Sequence, residues 1–327
     1  MIRHVEVTVL SAQDIEKAAP PRGDIIRIIE DTYRMAGRGE AEVPTKIGVH
    51  PDYPGSFCHA MPAWLPAARA LGMKWIAYYP GNFARGLPDS TGIIVLNDPD
   101  TGMPVALMEG MWITYARTTA CAAVAAKHLC NPDPRCLALI GCGGLGRWSL
   151  LMLSEVFPSL AEVRVASRTD QSRRDFCGRM ASQEHWSLRP VEKLEDAVRG
   201  ADIVISSIPQ GQDPPLRDEW WSAGAVAIAL DVTSAWDAPS FERADRLVTD
   251  GYEALGRAAA RHNPTLRLPE EYTELAHVVL GTSPGRLHMR ERIMVVPTGV
   301  ASVDMTLGWE IFRRARERGL GTLLLLT

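Results

Sequence analysis

The sequence has no long apolar run, no paired cysteines and no surplus of one charge, and each absence removes a class of function. Its most apolar stretches, AGAVAIALDV and the terminal GTLLLLT, fall well short of the roughly 20 residues that span a bilayer, so no membrane partner is expected. The amino-terminal MIRHVEVTVLSAQDIEKAA carries acids and lacks a continuous apolar core, which reads against a signal peptide. The six cysteines (Cys58, Cys121, Cys130, Cys136, Cys142 and Cys177) form no CxxC pair and have no histidine at metal-ligand spacing. They read as small buried hydrophobes, with no metal site and no disulfide. A formal net charge of −4 gives no reason to expect nucleic acid as a partner. Neither an internal repeat nor a low-complexity segment is present. What remains is a soluble, cytoplasmic globular chain, and 327 residues are enough for two domains with separate cores.

Along the chain, residues 12–37 contain an amphipathic helix with Ile25, Ile28, Ile29, Thr32 and Tyr33 on one face. Residues 43–98 read as short strands and turns punctuated by prolines. NDPDTGMP at 97–104 is a hairpin turn, because Asp, Pro and Gly supply its dihedrals. From about 112 to 130 the pattern is helical and rich in alanine. From 135 onward apolar strands alternate with helices (CLALIG, EVRVAS, ADIVISSIP, AVAIALDV, DRLVTD), which predicts a parallel sheet covered by helices. A last helix, VASVDMTLGWEIFRRARERGLG, is expected to pack back on the first domain. The fold class is therefore α/β, a Rossmann-type doubly wound parallel sheet inserted in a second α+β domain.

RCLALIGCGGLGRWSLLML marks the expected use of that sheet. Gly141, Gly143 and Gly146 match GxGxxG between an apolar strand and a helix, with Gly144 inside the loop. In this context the first Gly makes the turn, the second lets the backbone approach a pyrophosphate, and the third lets helix and strand pack closely. The next strand ends in Ser167, Arg168 and Thr169, with Arg173 a turn later. Hydroxyls and guanidinium groups suit a ribose 2′-phosphate, so NADP(H) is favoured, while Asp170 leaves NAD(H) open.

Ligands of open α/β sheets sit beyond the carboxyl ends of the strands. Asp231 falls there, either as a carboxylate poised for proton transfer or as a cap for the next segment. Thr298 and Gly299 follow MVV and are further cofactor candidates. Three cations lie in apolar settings in the other region: Lys46 in VPTKIGVH, Lys74 in LGMKWIAYYPGN and Arg117 in YARTTA. If they converge, they form a carboxylate-binding site; taken singly, each fits a solvated or snorkelling side chain equally well.

The run MKWIAYYPGNFARGLPDSTGIIVLNDPDTGMPVALMEGMWITYARTTACAAVAAKHL resembles the ornithine cyclodeaminase/mu-crystallin family. The likeness continues through the GxGxxG unit, ELAHVVLGTSPGR and the Asp304-x-x-L-G-W-E-I helix. It implies a substrate-binding and dimerisation domain from residues 1–117 plus 304–327, and a nicotinamide domain over 118–303. It also implies a homodimer formed through the substrate domains. Members move a hydride between NAD(P)(H) and the α-carbon of a small amino or imino acid, as ketimine or pyrroline-carboxylate reductases, amino acid dehydrogenases or cyclodeaminases. Carried over by position, Lys74 and Arg117 bind the substrate carboxylate and Asp231 handles protons at the substrate. Two positions depart from the family pattern. Thr45-Lys46 stands where an arginine is usual, so Lys46 acts as a point charge. His59 stands where the ornithine enzymes carry a glutamate for the distal amine, which ranks a reductase or dehydrogenase above a cyclodeaminase. The mu-crystallin name also leaves room for a protein that retains NADPH and a small ligand without turnover.

Overall fold

The computed structural model describes residues 5–181, 186–209 and 213–326. In chain order the elements begin β1 (Glu6–Leu10), α1 (Ala12–Ala18), α2 (Arg22–Gly37), β2 (Ile47–Val49), β3 (Phe57–Leu65), β4 (Ala70–Tyr78), β5 (Ser90–Asn97), β6 (Pro104–Glu109) and α3 (Met111–Leu129). A second series runs β7 (Cys136–Ile140), α4 (Gly144–Val156), β8 (Glu162–Ala166), α5 (Asp170–Met180), β9 (Ser187–Val191), α6 (Leu194–Val198), β10 (Ile203–Ser206) and β11 (Val226–Ala229). It continues through α7 (Ala238–Glu242), β12 (Arg246–Thr249), α8 (Tyr252–His262), β13 (Thr273–Glu274), α9 (Leu275–Leu280) and β14 (Ile293–Val296). The chain closes with α10 (Ala301–Glu317) and β15 (Thr322–Leu325).

These elements form two compact units, Met1–Arg117 with Val300–Thr327, and Thr118–Gly299. The chain returns to the first unit at Val300, before the expected residue 304, because α10 begins at Ala301 and packs along its whole length in that unit. In unit 1 a sheet of order β15-β1-β6-β5-β4-β3-β2 carries α10 against β3, β4 and β5, with α1 and α2 packed on α10. Strand alternation decides the two faces. In β4, Ala70, Gly72 and Lys74 point toward the buried side, and Trp75 points away from it.

The amphipathic helix expected within 12–37 is α2, and the shorter α1 precedes it, since Pro20 and Pro21 remove backbone donors and hold the chain extended between them. Ile25, Ile29, Thr32 and Tyr33 are buried as the periodicity implied, joined by Ile26, whereas Ile28 stays half-buried. Strands in the 43–98 region are longer than expected, nine residues each for β3 and β4. The terminal leucine run is an edge strand, β15, antiparallel to β1.

Unit 2 is an eight-stranded sheet, β13-β12-β14-β11-β10-β7-β8-β9, in which every pairing is parallel. The strands β7, β10, β11 and β14 are buried throughout, the pattern of a sheet covered on both faces. Chain order reverses between β7 and β10, the switch point at which such sheets open a crevice beyond their carboxyl ends. No helix among the described residues is long and apolar enough to cross a membrane. Of the cysteines, Cys121 and Cys136 are buried as expected, but Cys58, Cys130, Cys142 and Cys177 are only partly so.

Candidate active site

In unit 1 the register Met61↔Lys74↔Ile94 sets Lys74 in an apolar row facing α10. A lysine there needs an anion, and α10 supplies one from its first turn. The Lys74 ammonium donates to both oxygens of Asp304, at 2.8 Å each, and the Arg117 Nε donates to Asp304 Oδ1 at 3.0 Å. Lys74 and Asp304 are fully buried and Arg117 is 6% exposed. Two cationic side chains thus share one carboxylate in a buried setting. Burial is the main force pushing the Lys74 pKa down to about 7, and the charges of Arg117 and Lys46 add to it against the pull of Asp304. Ammonium and guanidinium groups gathered in this way are the donors that could hold an incoming carboxylate.

The four sequence candidates of unit 1 therefore separate by role. Lys74 and Arg117 share one partner, and Lys46 is near enough for its charge to reach Lys74. His59 lies on the same sheet face, half-buried, with its ring stacked on Phe57. Asp304 was visible only as part of a helix motif. The signal that could have found it was its isolation, a lone acid within VASVDMTLGW.

Unit 2 carries the dinucleotide loop. Gly141, at φ +117°, turns the chain out of β7, and a Cβ there would lie 2.6 Å from the Ser207 carbonyl. At Gly146 a Cβ would fall 2.1 Å from the Gly141 carbonyl, so helix and turn touch only because no side chain intervenes. Gly143, the N-cap of α4, is different. A Cβ there would meet nothing within 4 Å, and Gly143 and Gly144 are exposed. The loop is thus tight where it packs and open where a pyrophosphate would approach the start of the 13-residue α4. These residues fit a dinucleotide.

At the end of β8 the structure redistributes the candidates. Thr169 is the N-cap of α5, accepting from the Ser172 N–H. Arg173 is buried and donates to the Ser167 carbonyl at 2.8 Å, while Arg174 pairs with Asp170. Arg168 is exposed at the strand end, the cation best placed for a 2′-phosphate.

Asp231 follows β11 in a tight turn whose next residue, Val232, has φ +62°, a conformation that β-branched side chains rarely adopt. Its Oδ1 accepts from the Ser206 hydroxyl at 2.9 Å and its Oδ2 from the Ile208 N–H at 3.1 Å. The buried Trp236 indole N–H donates in turn to Ser206 Oγ at 3.1 Å. Burial still dominates and pushes the Asp231 carboxyl up to about 6. The carboxylate also takes backbone N–H contacts at Asp231 and Ala235, so it holds the following segment as a cap does, while Asp237 caps α7. Thr298 donates through its N–H and hydroxyl to Asp250 Oδ1 at 2.6 and 2.9 Å, ahead of Gly299 at φ +78°. Beside them, burial and the charge of Asp250 push Glu274 up to about 7.

The profile of the ornithine cyclodeaminase/mu-crystallin family matches residues 5–319. The nodulation efficiency protein NfeD of Rhizobium meliloti is 34% identical, over 96% of this chain and 97% of its own length. An N-((2S)-2-amino-2-carboxyethyl)-L-glutamate dehydrogenase of Staphylococcus aureus is 30% identical over 81% of each chain. Among solved structures, the delta(1)-pyrroline-2-carboxylate reductase of Thermococcus litoralis, in complex with NADH and L-proline, superposes with a TM-score of 0.89. It is 28% identical and covers 97% of this chain and 99% of its own.

Proposed function

The chain belongs to the ornithine cyclodeaminase/mu-crystallin family, and on that premise we propose that it is an NAD(P)-dependent oxidoreductase acting on the Cα–N bond of a small amino or imino acid. The observation that carries this reading is the buried Lys74–Asp304–Arg117 centre, in which two cationic side chains share one carboxylate. The pyrroline-carboxylate reductase and the dehydrogenase among its relatives act on substrates of this class by name.

Unit 1 handles the carboxylate. Lys74 and Arg117 hold it, Lys46 adds a point charge, and Asp304 keeps both buried cations in place. Fixing the carboxylate fixes the α-carbon, and such positioning lowers a barrier by several kcal/mol. Unit 2 handles the cofactor and the proton. Gly141, Gly143, Gly144 and Gly146 hold the pyrophosphate, Thr298 and Gly299 line the strand ends, and Ser167 with Arg168 favours NADP(H) over NAD(H). The bound nicotinamide supplies the hydride. Reduction of Cα=N also adds one proton at nitrogen, and Asp231, with a carboxyl held up to about 6, is suited to supply it. In oxidation the same carboxylate takes that proton back.

The assembly we propose is a homodimer. Register places Ile47, Ala60, Trp75 and Ile93 in one row across β2, β3, β4 and β5, on the sheet face away from α10. Ile47, Trp75 and Ile93 are 71, 38 and 43% exposed, an apolar row suited to a second copy. Six free cysteines fit a reducing compartment, the cytoplasm.

The test follows nicotinamide absorbance while NADPH meets cyclic ketimine carboxylates, or 2-oxo acids with ammonium. Oxidation of NADPH in step with amine formation is expected. Ammonia release from a diamino acid without net absorbance change would make it a cyclodeaminase. Silence across the panel with tight NADPH binding would make it a binding protein.

A further inference from the structure

The buried face of unit 1's sheet can be followed row by row from the carboxylate seat. Met61 and Lys74 pair in the first row, Gly48, His59 and Ile76 in the second, Phe57 and Tyr78 in the third. Successive rows lie about 7 Å apart, two residues along each strand. Burial changes sharply between them. Met61 and Lys74 are buried, whereas His59, Ile76, Phe57 and Tyr78 are half-buried.

α10 explains the change. Asp304 caps Lys74, and further along the helix the Trp309 indole donates to the Leu71 carbonyl at 3.0 Å. The helix therefore runs from its first turn at the first row toward Leu71, and the second and third rows lie on the side of its amino-terminal start. These two rows carry three rings, His59, Phe57 and Tyr78, beside Ile76, and the rings are ordered by contact. The His59 ring lies over Gly48, where a Cβ would come within 2.4 Å of it. One face of the ring is stacked on Phe57 at 4.2 Å and 18°, and Phe57 leans on Tyr78 at 5.6 Å. Rings of residues two apart on one strand stack with their planes across the strand. The His50 ring also meets His59, at 6.0 Å and 87°, and the His59 face away from Phe57 lies on the Met61 and Lys74 side.

We propose that this Phe57–His59 stack is the side-chain subsite, and that it selects α-amino or α-imino acids carrying a flat aryl group. The inference rests on the carboxylate reading of Lys74 given above. A ligand whose carboxylate sits at Lys74 and whose side chain leaves toward the second row meets an imidazole face held flat by Phe57 and slotted by Gly48. A flat group gains a stacking contact that a branched alkyl group does not. An ω-ammonium finds no acid in the first three rows. The acid whose charge reaches Tyr78 is Asp89, which is bonded to the Phe83 N–H at 2.8 Å.

The experiment titrates hydrocinnamate, isocaproate and δ-aminovalerate, three carboxylates of similar length, into the NADPH-saturated enzyme by calorimetry. Hydrocinnamate is expected to bind about tenfold tighter than isocaproate, as an added aromatic pair allows, with δ-aminovalerate weakest. His59→Leu and Phe57→Leu, which keep apolar bulk, should bring the first ratio to about one. Equal or tighter binding of isocaproate overturns the subsite. So does preference for δ-aminovalerate, which would point to Asp89. Lys74→Met separates the two layers: loss of all three ligands supports the carboxylate seat, and unchanged affinity refutes that seat whatever the aryl preference shows.

Discussion

At the scale of single residues, the account turns on which groups can be removed without leaving a charge unpaired. Lys74→Met leaves Asp304 paired with Arg117, whereas Asp304→Asn takes from both buried cations the carboxylate they share. Urea unfolding should therefore show the smaller loss for Lys74→Met and a loss of about 3–5 kcal/mol for Asp304→Asn. The pH dependence has a definite sign. Lys74 sheds its proton near 7 when folded and near 10.5 when unfolded, so between those values the unfolded chain binds more protons and this residue's contribution to stability rises with pH. That slope should vanish in Lys74→Met. Ser206 offers a second residue-level test. Because an indole N–H only donates, Trp236 takes the Ser206 lone pair and directs the Ser206 proton to Asp231. Reduction needs a protonated Asp231, so its rate should fall as pH rises through about 6. Ser206→Ala removes a donor to the carboxylate and should move that fall to higher pH, while Ser206→Thr restores it. At this scale the sequence exposed Lys74, Arg117 and Asp231 as charges in apolar surroundings. It hid Asp304 and Ser206, whose roles depend on partners 230 and 25 positions away.

At the scale of elements, the glycine loop makes the sharpest contrast between packing and binding. Gly143→Ala adds a Cβ into open space and should leave the melting temperature unchanged while weakening NADPH in a fluorescence titration. Gly146→Ala drives a Cβ to 2.1 Å from a carbonyl and should lower the melting temperature as well. Equal melting losses in the two variants would mean that the loop is only a packing device. Elements were legible where a local signal was strong. The GxGxxG turn, the 97–104 hairpin and the alternation from residue 135 rest on Gly, Pro and apolar runs that act within a few residues. The break at Pro20-Pro21 is equally local, and it sets where the amphipathic α2 begins. Short strands such as β2 and β9, and the edge strand β15, were not legible. Three to five residues hold too little pattern, and their pairing is set by strands far off in the chain.

For the whole molecule, the sequence carried the order of events, a strand-rich start, an alternating middle and a helix returning to the beginning. That order already implies a discontinuous first unit, and the structure fixes the return at Val300. It did not show that the returning helix brings the counter-ion of the site. Nor did it show the apolar row on the opposite sheet face, because register is needed to align Ile47, Trp75 and Ile93. If a second copy covers that row, Trp75→Glu should convert a dimer to a monomer in light scattering at micromolar concentration, with the far-ultraviolet dichroism unchanged. The central claim is that the chain joins a carboxylate seat and a nicotinamide to transfer hydride at an α-carbon. It is tested most directly with NADPH deuterated at its transferable position, supplied with an imino acid and followed by mass spectrometry and proton resonance of the product. Deuterium at the α-carbon of the amino acid, lost in Lys74→Met, is the result the account predicts. Label that stays in the cofactor or passes to solvent, with no labelled amino acid from any imino acid offered, would contradict it.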